Sequence, residues 1–223
     1  MEAAVAVGRR PRSVAGLTTL GGVLYVVLFV IGSIVLFGGQ PDSSSAPAKI
    51  IQWYSDSGNR DRVNVVWILI TLAVFFLLWF IAALRRVVSM VDEEGILTGV
   101  VSIGGGVYAA LAFASVALTA GIRTMSDDTY QHRVFPELIH AAGDVGWVMH
   151  ATGAVGLGAM IIAASLAFMR GGVWPGWAGW LGILVGVLAL GSIAFFPQFL
   201  FLLWILVVSI VIFLQSRPAS RVA

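Results

Sequence analysis

Cysteine is absent from the 223-residue chain, and lysine occurs once, at Lys49. The absence of cysteine excludes disulfide bonds, thiolate metal ligands and cysteine nucleophiles. Charged residues make up only 11% of the chain and hydrophobic residues 59%, whereas an average soluble domain carries roughly 25% charged residues. Such a chain has too little charge to cover a water-soluble fold, so we expect it to lie in a membrane.

Asp, Glu, Lys and Arg are also missing from the middle of every apolar run. Asp, Glu, Lys and Arg at membrane depth mark proton relays, ion paths and voltage sensors. A proton pump or an ion-coupled antiporter is therefore disfavoured, and a retinal protein is excluded because no run holds a lysine for the Schiff base. The net charge of +2 is spread over the predicted loops, so the sequence gives no indication of nucleic-acid binding.

Six apolar runs predict an all-α fold, a polytopic membrane helical bundle with six transmembrane helices. The first run is too long for the apolar part of a signal peptide, which has about 7–15 residues. Pro197 divides the last apolar stretch into two spans, because proline interrupts helical hydrogen bonding. The predicted transmembrane domain covers 15–215, with spans at 15–37, 63–84, 96–120, 145–169, 177–195 and 199–215.

The placement of basic residues predicts that both termini are cytoplasmic, with 1–14 as an N-terminal segment and 216–223 as a tail. In this orientation eight basic residues are inside: Arg9, Arg10, Arg12, Arg85, Arg86, Arg170, Arg217 and Arg221. Five are outside: Lys49, Arg60, Arg62, Arg123 and Arg133. The expected location is the inner (plasma) membrane. The expected partners are the lipid bilayer and, as an open alternative, a membrane protein or a second copy of the chain.

The two long outer loops, 38–62 and 121–144, are each predicted to contain ordered structure. Residues 46–54 have the pattern of an amphipathic helix, with Ile50, Ile51, Trp53 and Tyr54 against the membrane surface. Pro136 is a favourable first residue for a helix that continues into the fourth span.

Small residues at four-residue spacing predict which helices pack closely, because close approach drives helix association in lipid. They place spans 3, 4 and 5 at the centre of the bundle and leave spans 2 and 6 facing lipid. The predicted packing glycines are Gly105, Gly106, Gly158, Gly182 and Gly186.

The candidate polar cluster lies between the second outer loop and the fourth span: His132, Glu137, His140, Asp144 and His150. Histidine and carboxylate together suit Zn²⁺, and His140 shares a helix face with Asp144. However, His150 lies about 240° round the helix from Asp144, so a metal site requires a break near Gly143 or Gly146. Pairing at the headgroup level is the favoured alternative. No metal site is firmly predicted, and the catalytic residues, if any, are not identified.

Several short motifs run along the chain: Gly-Gly-Val-Leu-Tyr-Val-Val-Leu-Phe from Gly21, Ala-Lys-Ile-Ile-Gln-Trp-Tyr from Ala48, Asn-Arg-Asp-Arg from Asn59, and Ala-Leu-Arg-Arg from Ala83. This pattern resembles an uncharacterised family of actinobacterial six-span membrane proteins with a domain of unknown function. The resemblance covers nearly the full chain and implies the six-span topology. It implies no catalytic residues.

The leading functional hypothesis is a non-enzymatic membrane protein, either an accessory subunit or a binder of a lipid or hydrophobic ligand from the outer leaflet. One alternative is a metal-dependent membrane hydrolase that uses the outer His/Asp cluster. Another is an uncoupled small-solute transporter with a polar path through spans 3 to 5. No cofactor is predicted.

Overall fold

A computed structural model of the protein describes residues 18, 20–37, 39–41, 45–123, 133–193 and 198–215. These residues contain no β-strand, which confirms the all-helical fold class. The helices are α1 (Gly21–Phe37), α2 (Pro47–Ser55), α3 (Ser57–Val88), α4 (Ile96–Arg123), α5 (Pro136–Arg170), α6 (Gly176–Leu190) and α7 (Gln198–Gln215), with a short 3-10 turn at Gly191–Ile193. The predicted hairpin at Pro197 lies outside the described residues.

The helices have the length and the surface of a membrane protein. Four of them, α3, α4, α5 and α7, are long and apolar enough to cross a bilayer, and α1 and α6 are shorter apolar helices. Large apolar side chains face outwards, including Trp79 (46% exposed), Trp177 (69%) and Phe199 (85%). An apolar surface on this scale is stable against lipid rather than water, so the fold is that of a helical membrane bundle.

Three of the long helices, α3, α4 and α5, are longer than the hydrocarbon core of a bilayer is thick. Helix α3 has 32 residues and begins at Ser57, where the Asp56 side chain accepts a hydrogen bond from the Asn59 N–H at 3.0 Å. At 1.5 Å per residue it is about 48 Å long, against a core of about 30 Å. Helix α5 begins at Pro136 and continues to Arg170, so a helix starting at this proline does run into the fourth apolar run.

Helix α2 confirms the helix predicted over 46–54 but not its placement. Ile50 and Tyr54 are each 1% exposed and pack with Val63 of α3 and with Val134 and Ile139. The apolar face of α2 therefore contacts protein, and the prediction that both residues lie on the membrane surface was wrong. The physical reason is the abrupt turn at Asp56, which folds α2 back onto the start of α3.

Close backbone contacts at glycine hold the helices in pairs. Helix α5, the most buried long helix, packs on α4 and on α6. A Cβ added at Gly156 of α5 would lie 2.6 Å from the carbonyl oxygen of Gly104 in α4. Helix α1 packs on α3 in the same way, since a Cβ at Gly22 would lie 2.8 Å from Cδ2 of Phe80. Glycine thus permits approach distances that no other residue allows.

The structure differs from the sequence prediction about the centre of the bundle. Helix α6, which lies in the predicted fifth span, packs mainly on α5 and exposes Trp177, Trp180 and Leu184, so its predicted central position was wrong. Helix α3 contributes fully buried residues instead, among them Leu77 and Phe80. Large side chains of α3 therefore fill space between the helices, while α5 remains the most buried of the long helices.

The five glycines singled out from the sequence have different surroundings. Gly105, Gly158, Gly182 and Gly186 lie where an added Cβ would meet a neighbouring helix within 3 Å. Gly106 is exposed, and an added Cβ there would meet open space. Gly106 is therefore not at a helix contact in this structure, because α4 turns that face away from its neighbours.

The turn between α3 and α4 is held by Asp92. Its carboxylate accepts hydrogen bonds from the Thr98 N–H at 2.7 Å and from the Thr98 hydroxyl at 2.8 Å. The bond from the Thr98 N–H, helped by the positive charge of Arg170, lowers the pKa of Asp92. Gly95 completes the turn with φ +74°, a conformation that other residues rarely adopt.

The first prediction concerns the contact between α4 and α5. Gly156→Ala should lower the free energy of unfolding by about 1–3 kcal/mol, because the new Cβ must push the Gly104 backbone away. Gly106→Ala should be neutral or stabilising by up to about 1 kcal/mol, since alanine is the better helix former and the site is open. Thermal unfolding of the purified variants measures both effects. Equal effects would contradict the assigned packing.

The second prediction is a pH dependence from Asp92. Because its folded-state pKa is lowered, its stabilising effect is fully present above the unfolded pKa of about 3.9. That effect is lost as the pH falls through the folded-state pKa. Asp92→Ala should therefore lower the melting temperature at neutral pH, and the gap to the wild type should close in acid. Glu93→Ala, at the exposed next residue, is the control. A gap that does not change with pH would refute the role of the carboxylate.

Candidate functional site

A cavity that holds several polar groups lies between the α1–α3 pair and the α4–α5 pair. Its volume is about 300 Å³, at the lower end of the range of about 300–1,000 Å³ for small-molecule sites. The lining residues are Tyr25, Phe29, Gly32, Ser33, Val63, Val66, Trp67, Ile70, Val74, Tyr108, Ala112, Ser115, Val116, Thr119, Ala120, Gly143, Gly146, Trp147, His150 and Gln198. We call this space the bundle cavity.

The bundle cavity is confined to one half of the bundle. Its walls come from the later parts of α1 and α4 and the earlier parts of α3 and α5. Because consecutive helices run in opposite directions, these parts meet on the side that carries α2, which we call the α2 side. Val63 belongs both to the cavity wall and to the apolar cluster under α2. Helix α2 therefore lies beside the end of the cavity.

The cavity reaches the surface of the bundle at two indole rings. Trp67 and Trp147 line it, yet they are 45% and 49% exposed. Side chains that are both wall and surface mark an opening, and these two belong to the apolar exterior of the bundle. The opening therefore lies at the side of the bundle.

A chain of three polar side chains crosses the cavity. The Tyr25 hydroxyl lies 3.0 Å from the Tyr108 hydroxyl, which lies 3.4 Å from Nε2 of His150. The ring of Phe29 stacks on His150 with centroids 6.3 Å apart. Tyr25 and Tyr108 are 1% and 2% exposed. These three side chains connect α1, α4 and α5 inside the bundle. Buried hydroxyls usually find their hydrogen-bond partners within the protein.

Other hydroxyl groups in the wall are turned towards the backbone. Ser33 donates to the carbonyl oxygen of Phe29 at 2.8 Å, and Ser115 donates to that of Gly146 at 2.8 Å. Thr119 donates to the carbonyl oxygen of Ser115 at 2.9 Å. These donors are occupied, so this part of the wall presents a mainly apolar surface.

Gln198, the first residue of α7, adds an amide group to the cavity lining. Its Nε2 is buried and has no hydrogen-bond partner among the residues that the structure describes. Buried donors are usually satisfied, so this amide is a candidate contact for a ligand.

The polar cluster taken from the sequence is divided by the structure. His150 lines the bundle cavity, whereas Asp144 lines a separate apolar depression beside Leu111 and Val148. Glu137 is exposed and His140 half-buried, and His132 lies outside the described residues. Helix α5 runs unbroken past Gly143 and Gly146, so the break needed for a shared metal site is absent. Within the described ranges, no three His, Asp or Glu side chains are grouped to hold a metal.

His150 is the only described cavity residue that was selected as a site residue from the sequence. The cavity residues that were missed include Tyr25, Trp67, Trp147 and Gln198. Trp67 and Trp147 lie near the ends of predicted spans, where tryptophan usually acts as an interfacial anchor. That role does not account for their place in the cavity wall. Tyr25 and Gln198 had one available signal, a polar group within or beside an apolar run. Nothing in the sequence relates Tyr25 to Tyr108, which follows 83 residues later.

Comparisons with protein-family models, curated proteins and solved structures found no match to this chain.

The third prediction tests the bond between the two tyrosines. In a double-mutant cycle of Tyr25→Phe and Tyr108→Phe, the coupling energy should be about 0.6 kcal/mol and at most about 1.7 kcal/mol, the range for hydrogen bonds between membrane helices. Thermal unfolding of the four proteins in one detergent measures it. Additive losses would show that the two hydroxyls act independently.

Proposed function

We propose that the protein is a non-enzymatic, multi-pass protein of the inner (plasma) membrane that binds a lipid-like or other hydrophobic small molecule in the bundle cavity. The cavity is the observation that supports this proposal. It has apolar walls, a few polar groups at one level and an opening at Trp67 and Trp147. Most small-molecule sites combine these features.

The proposed topology has six spans with both termini in the cytoplasm, so the α2 side faces outwards. Helices α1 and α6 have 17 and 15 residues, somewhat short of the roughly 20 residues of a typical span. Their assignment as spans is supported by their apolar composition and by the packing of α1 along α3 and of α6 along α5. The excess of basic residues on the other side supports the orientation. Membership of the actinobacterial six-span family rests on the motifs quoted from the sequence.

Ligand binding is favoured over the two alternatives. A hydrolase built on the outer His/Asp cluster needs ligands that converge, whereas Asp144 and His150 line different cavities. A transporter with a path through spans 3 to 5 needs space between α4 and α5. Gly104 and Gly156 close that interface by backbone contact.

The fourth prediction tests occupancy of the cavity. Gly143 lines the cavity, and a Cβ added there meets open space, so Gly143→Phe should fill part of it without displacing neighbours. We expect the wild type, extracted in mild detergent, to retain an apolar molecule in native mass spectrometry. Gly143→Phe should reduce the retained amount at least about tenfold, which corresponds to about 1.4 kcal/mol.

The control is Gly106→Phe, which adds the same ring at an exposed glycine of α4 away from the cavity. It should retain the molecule as the wild type does. A wild-type protein without any bound molecule, or equal retention in both variants, would overturn the proposed function.

A further inference from the structure

Resting on the proposed binding function, we propose that the ligand is an uncharged amphiphile whose head carries a carbonyl-type hydrogen-bond acceptor. The class includes ketones, esters and quinone-like rings with an apolar tail. The inference follows from the donors that the cavity offers and from the charges that its walls lack.

The first step is the unpaired donor. Nε2 of Gln198 is buried and has no partner in the described part of the chain, and the residue lines the cavity. A primary amide nitrogen carries two N–H donors and accepts no hydrogen bond. Its complement is therefore an acceptor on the ligand, and a carbonyl oxygen with two lone pairs fits this requirement.

The second step is the stretched contact in the polar chain. The Tyr108 hydroxyl is 3.4 Å from Nε2 of His150, longer than the usual 2.5–3.2 Å of a strong hydrogen bond. The shorter contact, 3.0 Å, joins Tyr108 to Tyr25. Because the bond to His150 is weak, the Tyr108 hydroxyl can turn and donate to an acceptor on the ligand at a small cost in free energy. A carbonyl near this phenol would be the second acceptor position.

The third step is the charge of the walls. Among the described residues that line the cavity, none is Asp, Glu, Lys or Arg. A carboxylate or phosphate head would have to leave water without a cationic partner, which is strongly unfavourable in a low-dielectric site. An alkane would leave the Gln198 donor unsatisfied. A neutral acceptor meets both constraints.

The experiment compares three probes with the same number of carbon atoms: dodecane, methyl decyl ketone and dodecanoate. Each is titrated into the full-length protein in mild detergent, and occupancy is followed by native mass spectrometry. The wild type should bind the ketone about 3- to 10-fold more tightly than the alkane, the gain of one net hydrogen bond. Dodecanoate should bind more weakly than the ketone.

Gln198→Leu should remove the preference for the ketone while it leaves dodecane binding intact, because leucine keeps the bulk and loses the donor. The matched control is Gln215→Leu at the exposed end of the same helix, which should keep the preference. A second readout needs no variant: the carbonyl of a ¹³C-labelled ketone should shift towards its hydrogen-bonded frequency on binding the wild type.

The outcomes separate the two proposals. Equal binding of ketone and alkane, or tighter binding of dodecanoate, would overturn the acceptor inference and leave the proposed function in place. A preference that survives Gln198→Leu would also overturn it, as would an unshifted carbonyl signal. Failure of all three probes to bind would refute the proposed function and the inference together.

Discussion

The close approach of α4 and α5 is the contact on which the rest of the structure depends. Lipid supplies no hydrophobic force between helices, so they associate by contact between their own surfaces. Three glycines of α5 face α4 along this seam. Gly156 meets the backbone of Gly104, Gly153 meets Leu111, and Gly146 meets Thr119. The two helices are therefore in contact along most of their shared length.

The bundle cavity is a consequence of this pairing. Helices α1 and α3 form a further glycine-mediated pair, with Gly21 against Phe76 and Gly32 against Ile70. Glycines bring the helices together within each pair, whereas large side chains such as Phe29, Trp67 and Trp147 lie in the seam between the pairs. On the side opposite α2 the seam is filled, for example by Ile81 against Gly105. On the α2 side the filling stops, and the cavity begins.

Hydrogen bonding ties the two pairs together where packing does not. Most buried hydroxyls are hydrogen-bonded, and that of Tyr25 meets the Tyr108 hydroxyl across the seam at 3.0 Å. The bond fixes the separation of α1 and α4 at the floor of the cavity. On the α2 side, Asn59 donates to the carbonyl oxygen of Trp53 and Arg60 to those of Tyr54 and Ser55. These bonds hold α2 in place beside the cavity.

The sequence predicts those features that depend on one segment at a time. Hydropathy places every helix of the bundle, and the proline rule places the start of α5 at Pro136, because both act through local backbone and solvent preferences. The helix over 46–54 follows for the same reason. Its burial does not, since the packing of Ile50 depends on Val63 and Ile139, which are distant in the chain.

The candidate site could be predicted much less well. Proximity along the chain grouped Asp144 with His150, but the helix turns them to different cavities. Spatial proximity groups His150 with Tyr108 and, through it, with Tyr25, across separations of 42 and 83 residues. Small residues were equally ambiguous, because Gly105 and Gly106 look alike in sequence while only Gly105 faces a neighbouring helix.

The lack of charge in the interior is what makes the few polar groups informative. In a site with ionised residues, one unpaired amide would contribute little to ligand selectivity, because interactions with full charges are stronger. Here the lining has no Asp, Glu, Lys or Arg among the described residues, so under the proposed function neutral hydrogen bonds would decide which head group fits. A ligand dissolved in the bilayer would already be concentrated there, with its tail out of water. Burying that tail would then contribute little to selectivity, and discrimination would come from Gln198, Tyr108 and the shape of the wall.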